Sequence, residues 1–257
     1  FLISNSAFNK PFLKAPLLSL ISVILSNISI GGRGNLALPG PNNLPSPQFI
    51  SSSYEKEFFF ISMEFVSGES LSDLLKRDIS IDLELATKIQ LDFLEGLKVA
   101  QKRNVIHRDI NPDNILLCYK DKAPKALLSD FGLAQTVDQL VEISDSAGRY
   151  LYFAPECFSG VYLQTSDVFS AGLVFYKMLT GALPWQVEID PEDDSNEIAT
   201  KIISSRKKKL TKPSIFNSDV SPELDDVILK SLSSNIEERY KSAEEFIEAI
   251  NGVLSSE

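Results

Sequence analysis

The sequence predicts an α+β fold in two unequal parts, a small strand-containing front and a larger, mostly helical back. Three observations predict it. Short aromatic-rich runs gather before residue 64, where Phe49–Ser53 and Glu57–Met63 read as paired strands. Ser166–Thr180 is apolar nearly all round, through Val168, Phe169, Leu173, Val174, Phe175, Met178 and Leu179, and should be a helix enclosed by the core. The rest of the back half carries amphipathic helical spacing with recognisable start signals.

At the front, Leu17–Ile30 is an apolar run of 14 residues behind two basic ones, Lys10 and Lys14. It is too short for a membrane span of about 20 residues. It reads either as a secretory signal or as a buried helix or strand pair of a small lobe. Gly31–Pro47 is rich in Gly, Pro and Asn and reads as loop. A start at Phe1 rather than Met suggests a fragment or a processed product. Asp82–Arg103 is predicted helical, with Ile89, Phe93, Leu97 and Ala100 on one face. Ile115–Cys118 and Ala126–Ser129 read as short strands around a polar turn holding Pro124. Gly181 should stop the buried helix. Ser221-Pro222-Glu223 is an N-cap, a first-turn proline and an acid at the positive end of the dipole. Ser242 and Glu245 have capping-box spacing for a last helix with Phe246, Ile250 and Val253 inward.

With 257 residues, 44% hydrophobic and 23% charged, the chain can bury a sizeable core in one or two domains. Cys118 and Cys157 alone support no disulfide framework and fit a reducing, cytoplasmic setting. A net charge of −10 argues against nucleic acid as the main partner, since phosphate binding needs a basic footprint. The single histidine, His107, excludes a His-rich metal site and any Ser–His–Asp triad centred elsewhere. Residues 1–54 contain Lys10, Lys14 and Arg33 and no acid at all.

The chemistry lies in the middle of the chain. Residues 107–114 read His-Arg-Asp-Ile-Asn-Pro-Asp-Asn and run into the apolar strand Ile115-Leu-Leu. Asp130-Phe131-Gly132, Ala154-Pro155-Glu156 and Asp167-Val-Phe-Ser-Ala-Gly172 follow in that order. In order and spacing these motifs resemble the eukaryotic-like, or Hanks-type, serine/threonine protein kinases over residues 48–254. The resemblance implies a protein-kinase-like bilobal fold. Residues 1–63 would be a truncated or divergent N-lobe, and residues 64–257 a complete, mostly helical C-lobe.

The resemblance also implies an ATP- and Mg²⁺-dependent phosphoryl transfer, which depends on positioning and charge neutralisation more than on covalent help. Asp109 would accept the proton of a substrate hydroxyl. Asn114 and Asp130 would hold Mg²⁺ through hard oxygen ligands. Ile61–Leu71 looks like the hinge, with Met63 as gatekeeper, the Glu64 carbonyl and Val66 amide on the adenine edge, and Leu116 beneath the ring. Ser70 or Asp73 would lie near the ribose. His107 would be a packed core histidine under Phe131. Glu156 and Arg239 would form a buried ion pair, and Asp167 would anchor a helix start. Arg108 marks kinases in which an anionic group on the segment after Asp130 pairs with that arginine. Asp145, flanked by Ser144 and Ser146, holds the corresponding position. The implied partner is a protein with a Ser or Thr hydroxyl, with a membrane reached only through residues 17–30.

Departures from the family pattern bear on activity. No Gly-rich phosphate loop is present, for Gly31-Gly-Arg-Gly34 lacks a flanking hairpin and lies close to the hinge. Lys14 falls near the spacing of the family's strand lysine, yet no Glu precedes residue 55 to pair with it. Asn111 stands where serine/threonine kinases usually carry Lys, and Arg149 where most carry Thr. The two changes together look like a bacterial subgroup. The alternative is a pseudokinase or nucleotide-binding scaffold without efficient transfer. Arg149 is expected to point toward Asp109 and Asn111 and to supply the missing cation; the other arrangement is an Arg149 facing solvent or paired with an acid such as Asp145.

Overall fold

The structure, a computed structural model, describes residues 2–4, 49–55, 58–63, 65–78, 80–119, 123–130 and 147–255. The chain divides into two compact units, Phe1–Ser67 and Gly68–Glu257. In the first, β1 (Leu2–Ser4), β2 (Phe49–Glu55) and β3 (Phe58–Met63) form an antiparallel sheet in the order β1-β3-β2. The two aromatic-rich runs pair with each other, with Tyr54 opposite Phe59 and Phe49 opposite Met63. The chain's first residues add a third strand, Leu2 opposite Phe60, that the sequence pattern does not announce. Lys14, the apolar run 17–30 and the Gly/Pro-rich stretch lie outside the described residues. Among the described residues no helix is long and apolar enough to cross a membrane.

The second unit opens with another antiparallel sheet, β4 (Gly68–Ser70), β5 (Ile115–Cys118) and β6 (Lys125–Leu128), in that order. Gly68 is needed where β4 meets β5, because a Cβ there would lie 1.8 Å from the Leu117 carbonyl oxygen. Ser70 then caps α1 (Leu71–Arg77) by accepting from the Asp73 amide at 3.1 Å. Asp82 caps the long helix α2 (Leu83–Gln101) in the same way, accepting from Leu85 at 2.8 Å. A four-residue helix, α3 (Ala147–Tyr150), precedes a 3₁₀ turn at Pro155–Ser159.

The core is centred on α4 (Gln164–Thr180), in which every residue from Thr165 to Tyr176 is buried, along with Met178 and Leu179. Gly181 ends it in the left-handed region at φ 78°. Buried amides tie α2 to it: Gln90 Nε2 donates to the Ala171 carbonyl at 3.1 Å, and Gln101 and Gln164 exchange side-chain-to-carbonyl bonds at 3.2 and 3.0 Å. The helices α5 (Ser195–Ser205), α6 (Pro222–Ser231) and α7 (Ala243–Leu254) complete the unit. Ser221 and Ser242 cap α6 and α7. The expected capping box of α7 is half formed: the Glu245 carboxylate returns to the amide of Lys241 at 2.8 Å, not to that of Ser242. Here the acid, itself in the first turn, takes the donor one residue outside the cap.

Helices α4 and α6 approach closely at Gly172, where a Cβ would lie 2.1 Å from the hydroxyl of Ser231. That hydroxyl is fully buried and held by its bond to the Ile228 carbonyl at 2.6 Å, so it cannot yield. Glycine in a helix costs about 1 kcal/mol against alanine, but overpacking a tight contact costs about 1–3 kcal/mol. The clash should win. Gly172→Ala is expected to lower stability, read as a fall in the urea midpoint at unchanged slope; a midpoint that holds or rises would mean α4 and α6 are not in such contact.

Candidate active site

The loop between α2 and β5 is pinned from its first residue. The amides of His107 and Arg108 donate to the two carboxylate oxygens of Asp167, in the first turn of α4, at 2.8 and 2.9 Å. The Arg108 backbone is left-handed, φ 69°, which sets the direction the chain takes from this pinned amide to Asp109. Asp167 is buried, and burial pushes its pKa up to about 7 against the pull of those two amides. His107 Nδ1 accepts from the Asp109 amide at 3.3 Å, so Nε2 carries the hydrogen and donates to the Ser129 carbonyl at 2.8 Å. Burial holds this imidazole at about 4, neutral at ordinary pH, with the Ser129 carbonyl opposing the shift. His107 is therefore a strut between the loop and the end of β6.

Asp109 comes next, and its carboxylate meets four donors. Asn111 Nδ2 reaches Oδ1 at 2.9 Å and Asn114 Nδ2 reaches Oδ2 at 2.8 Å. Arg149, from α3, donates Nε to Oδ1 at 3.0 Å and Nη2 to Oδ2. Arg149 thus lies on Asp109, and it shares Oδ1 with Asn111 without bonding to it. Asn111 works in a second direction as well, since its Oδ1 accepts from the Asp113 amide at 2.9 Å and caps the 3₁₀ turn Pro112–Asn114. Both asparagine amides also donate to the Asp109 carbonyl, at 3.2 and 2.8 Å.

Asp130 follows β6 with left-handed backbone, φ 58°. Burial raises its pKa and the neighbouring Asp109 charge raises it further, with Arg149 pulling back. Among the described residues no hydrogen-bond donor pairs with the Asp130 carboxylate, and none reaches Asn114 Oδ1. A half-buried carboxylate and an amide oxygen, neither met by a donor among the described residues, are the oxygen ligands a hard cation takes. Among the described residues no cluster of three or more His, Cys, Asp or Glu could hold a metal alone. A cation at this place would complete its shell with phosphate oxygens and water.

Glu156 and Arg239 form a buried bidentate pair at 2.6 and 3.0 Å, and Ser166 Oγ donates to the same carboxylate at 2.7 Å. Burial alone would raise the Glu156 pKa; the bonds from Arg239 and Ser166 overcome it and hold it low. Sequence reasoning missed Arg206. It is buried over the Phe169 ring, 5.0 Å from the centroid, and donates to the carbonyls of Leu151, at 2.9 Å, and Phe153. Burial lowers its pKa to about 9. In sequence it merely opens the run Arg206-Lys-Lys-Lys209, which looks like a solvated helix end.

The remaining expected residues divide as follows. Met63 ends β3 and Val66 is half-buried in the stretch after it, both in the first unit. Leu116 lies in β5 of the second unit, on the strand face opposite the buried Ile115 and Leu117. Ser70 and Asp73 are engaged with each other at the start of α1. The Arg108 guanidinium stands 5.3 Å from the centre of the Tyr162 ring. Lys14, Glu64, Phe131, Gly132 and Ser144–Ser146 lie outside the described residues.

The protein kinase domain family matches residues 47–249. The serine/threonine-protein kinase PknB of Mycolicibacterium smegmatis is 34% identical over 191 residues, 72% of this chain and 29% of PknB. The tyrosine-protein kinase MasK of Myxococcus xanthus is 30% identical over 212 residues, 77% of this chain and 31% of MasK. The chain thus spans under a third of the length of these relatives. The crystal structure of the Mycobacterium tuberculosis PknI kinase domain superposes with a TM-score of 0.66 at 19% identity, over 98% of this chain and 83% of that one.

A neutral, buried His107 makes stability depend on pH. Its folded value of about 4 lies below that of the unfolded chain, about 6.5, so between them only the unfolded state takes up the proton. The stability it contributes is complete above pH 6.5 and falls by about 3 kcal/mol on reaching pH 4. Asp167, raised to about 7, acts in the opposite sense over the same range. The difference in unfolding free energy between parent and His107→Phe isolates the imidazole. It should shrink by about 3 kcal/mol from pH 7 to pH 4; a difference independent of pH would show that His107 protonates freely in the fold.

Proposed function

The chain belongs to the protein kinase family, and on that premise we propose that it is an ATP- and Mg²⁺-dependent protein serine/threonine kinase. The observation that carries the reading is the convergence of Asp109, Asn114 and Asp130 on one place, with the Asp130 carboxylate and Asn114 Oδ1 both without protein donors among the described residues. A protein hydroxyl attacks the γ-phosphorus of ATP, a new O–P bond forms, the bond to the bridging β-oxygen breaks, and the hydroxyl proton passes to Asp109. Asn114 and Asp130 would hold Mg²⁺, which when bound offsets the charge of the phosphates. His107 and Asp167 keep the Asp109 backbone in place, and Asn111 orients its carboxylate.

In this reading residues 64–257 are the C-lobe and residues 1–63 a truncated or divergent N-lobe. By the family resemblance the Glu64 carbonyl and Val66 amide would take the adenine edge, with Met63 as gatekeeper and Lys14 as the strand lysine. The partner is a protein carrying Ser or Thr, not nucleic acid, in keeping with a net charge of −10. Two buried, free thiols, Cys118 and Cys157, favour a cytoplasmic setting. Phosphoamino-acid analysis after incubation with ATP separates Ser and Thr from Tyr as acceptors.

Calorimetry and transfer assays on two variants test the site. ATP should bind the parent more tightly with Mg²⁺ than without, and Asp130→Asn should lose most of that difference. Asp109→Asn should bind Mg·ATP within a few-fold of the parent while transfer falls by about 10²-fold or more. Equal Mg²⁺ dependence in parent and Asp130→Asn would remove the metal assignment. Nucleotide binding without any transfer by the parent would favour the pseudokinase reading.

A further inference from the structure

A carboxylate offers about four lone-pair sites on its two oxygens. In Asp109 all four are taken: two by the asparagine amides and two by the guanidinium of Arg149. A serine or threonine hydroxyl can donate to Asp109 only after one of them leaves. The asparagines are poor candidates. Asn111 is 2% exposed and Asn114 9%, each also holds the Asp109 carbonyl, and Asn111 caps the turn that follows. Arg149 is different. Its side chain is 34% exposed, it arrives from a separate four-residue helix, and its bonds to this loop end on Asp109 alone among the described residues.

From this we propose that Arg149 is a latch on Asp109 that the terminal phosphate of a nucleotide opens. Without that phosphate the guanidinium closes the carboxylate to a hydroxyl. A terminal phosphate is tetrahedral but offers the fork two oxygens, as the carboxylate does, with more negative charge. Arg149 is the one cationic side chain bonded to Asp109 among the described residues, and Asn111 contributes no charge. Transfer of the guanidinium from carboxylate to phosphate would do two things in one movement: free Asp109 for the hydroxyl, and set a cation on the group to be transferred. Arg149 is then a gating residue whose two positions correspond to empty and loaded states. The proposal rests on the kinase reading and adds to it an order of events, with nucleotide ahead of the hydroxyl.

The Nε–H of Arg149 reports the latch directly by ¹⁵N NMR, assigned by its loss in Arg149→Lys. In the free protein it should carry the signature of a carboxylate-bonded proton, absent in Asp109→Asn. Saturation with AMP-PNP and Mg²⁺ should move the signal, while ADP and Mg²⁺, which lack the terminal phosphate, should leave it in place. In transfer assays Arg149→Met should lose about tenfold or more in kcat, and Arg149→Lys should recover part of that loss, because a point charge keeps the cation without the fork. A fixed structural pair predicts the same signal with both nucleotides and an Arg149→Lys as impaired as Arg149→Met; that result would overturn the latch and leave the kinase reading intact. Absence of AMP-PNP binding in calorimetry would overturn both.

Discussion

Two adjacent side chains in the first turn of α4, Ser166 and Asp167, hold the candidate site to the core. Asp167 takes the amides of His107 and Arg108, the first two residues of the loop that presents Asp109. Ser166 takes the Glu156 carboxylate, which Arg239 grips from the far side. Asp167 anchors the loop bearing Asp109, and Ser166 anchors the end of the segment bearing Arg149. Both lie in a helix enclosed by apolar residues, where a polar group without partners costs several kcal/mol. That penalty fixes the geometry: the loop cannot move without leaving a buried carboxylate facing nothing. With the Arg108 amide fixed on Asp167, the left-handed φ of Arg108 sets the direction in which the chain leaves toward Asp109.

Much of this was legible in the sequence, and for identifiable reasons. The buried helix declared itself by apolar residues on every side, and Asp82, Ser221 and Ser242 declared helix starts by local chemistry. These signals need only neighbours in the chain. The residues of the candidate site were found by motif order, which is a family resemblance, and not by any physical pattern in the residues themselves. What escaped depends on contacts between distant residues. Gln90, Gln101 and Arg206 are polar or charged and would be placed at the surface by composition, yet each is buried because a carbonyl or amide from another element meets it. α5 escaped for a different reason. Its capping box, Asp194 with Glu197, is a plain local signal, but its buried face is short, Ile198 and Ile202 beside the small Ser205.

Arg206 shows how far such a contact reaches. Its guanidinium sits among the rings of Phe169, Trp185 and Phe158 and is spent on two backbone carbonyls, Leu151 and Phe153. Among the described residues no carboxylate pairs with it, and burial lowers its pKa for that reason. The carbonyls it holds follow Arg149 by two and four residues. A buried cation therefore fixes the chain just beyond the exposed one.

The distribution of charge at the site follows from what each position can do. Position 111 must accept from the Asp113 amide to start the 3₁₀ turn and must donate to Asp109 to orient it. An asparagine does both, whereas a lysine has no acceptor and cannot cap. With an uncharged residue there, the acids Asp109 and Asp130 are neighbours without a lysine between them, and the Asp130 pKa is raised by burial first and by the Asp109 charge second. A cation has to come from another segment, and Arg149 brings it. Arg206 holds the backbone just beyond that cation, so the aromatic packing around α4 places the segment while Asp109 receives its guanidinium. The loop supplies fixed geometry, and the segment supplies the charge.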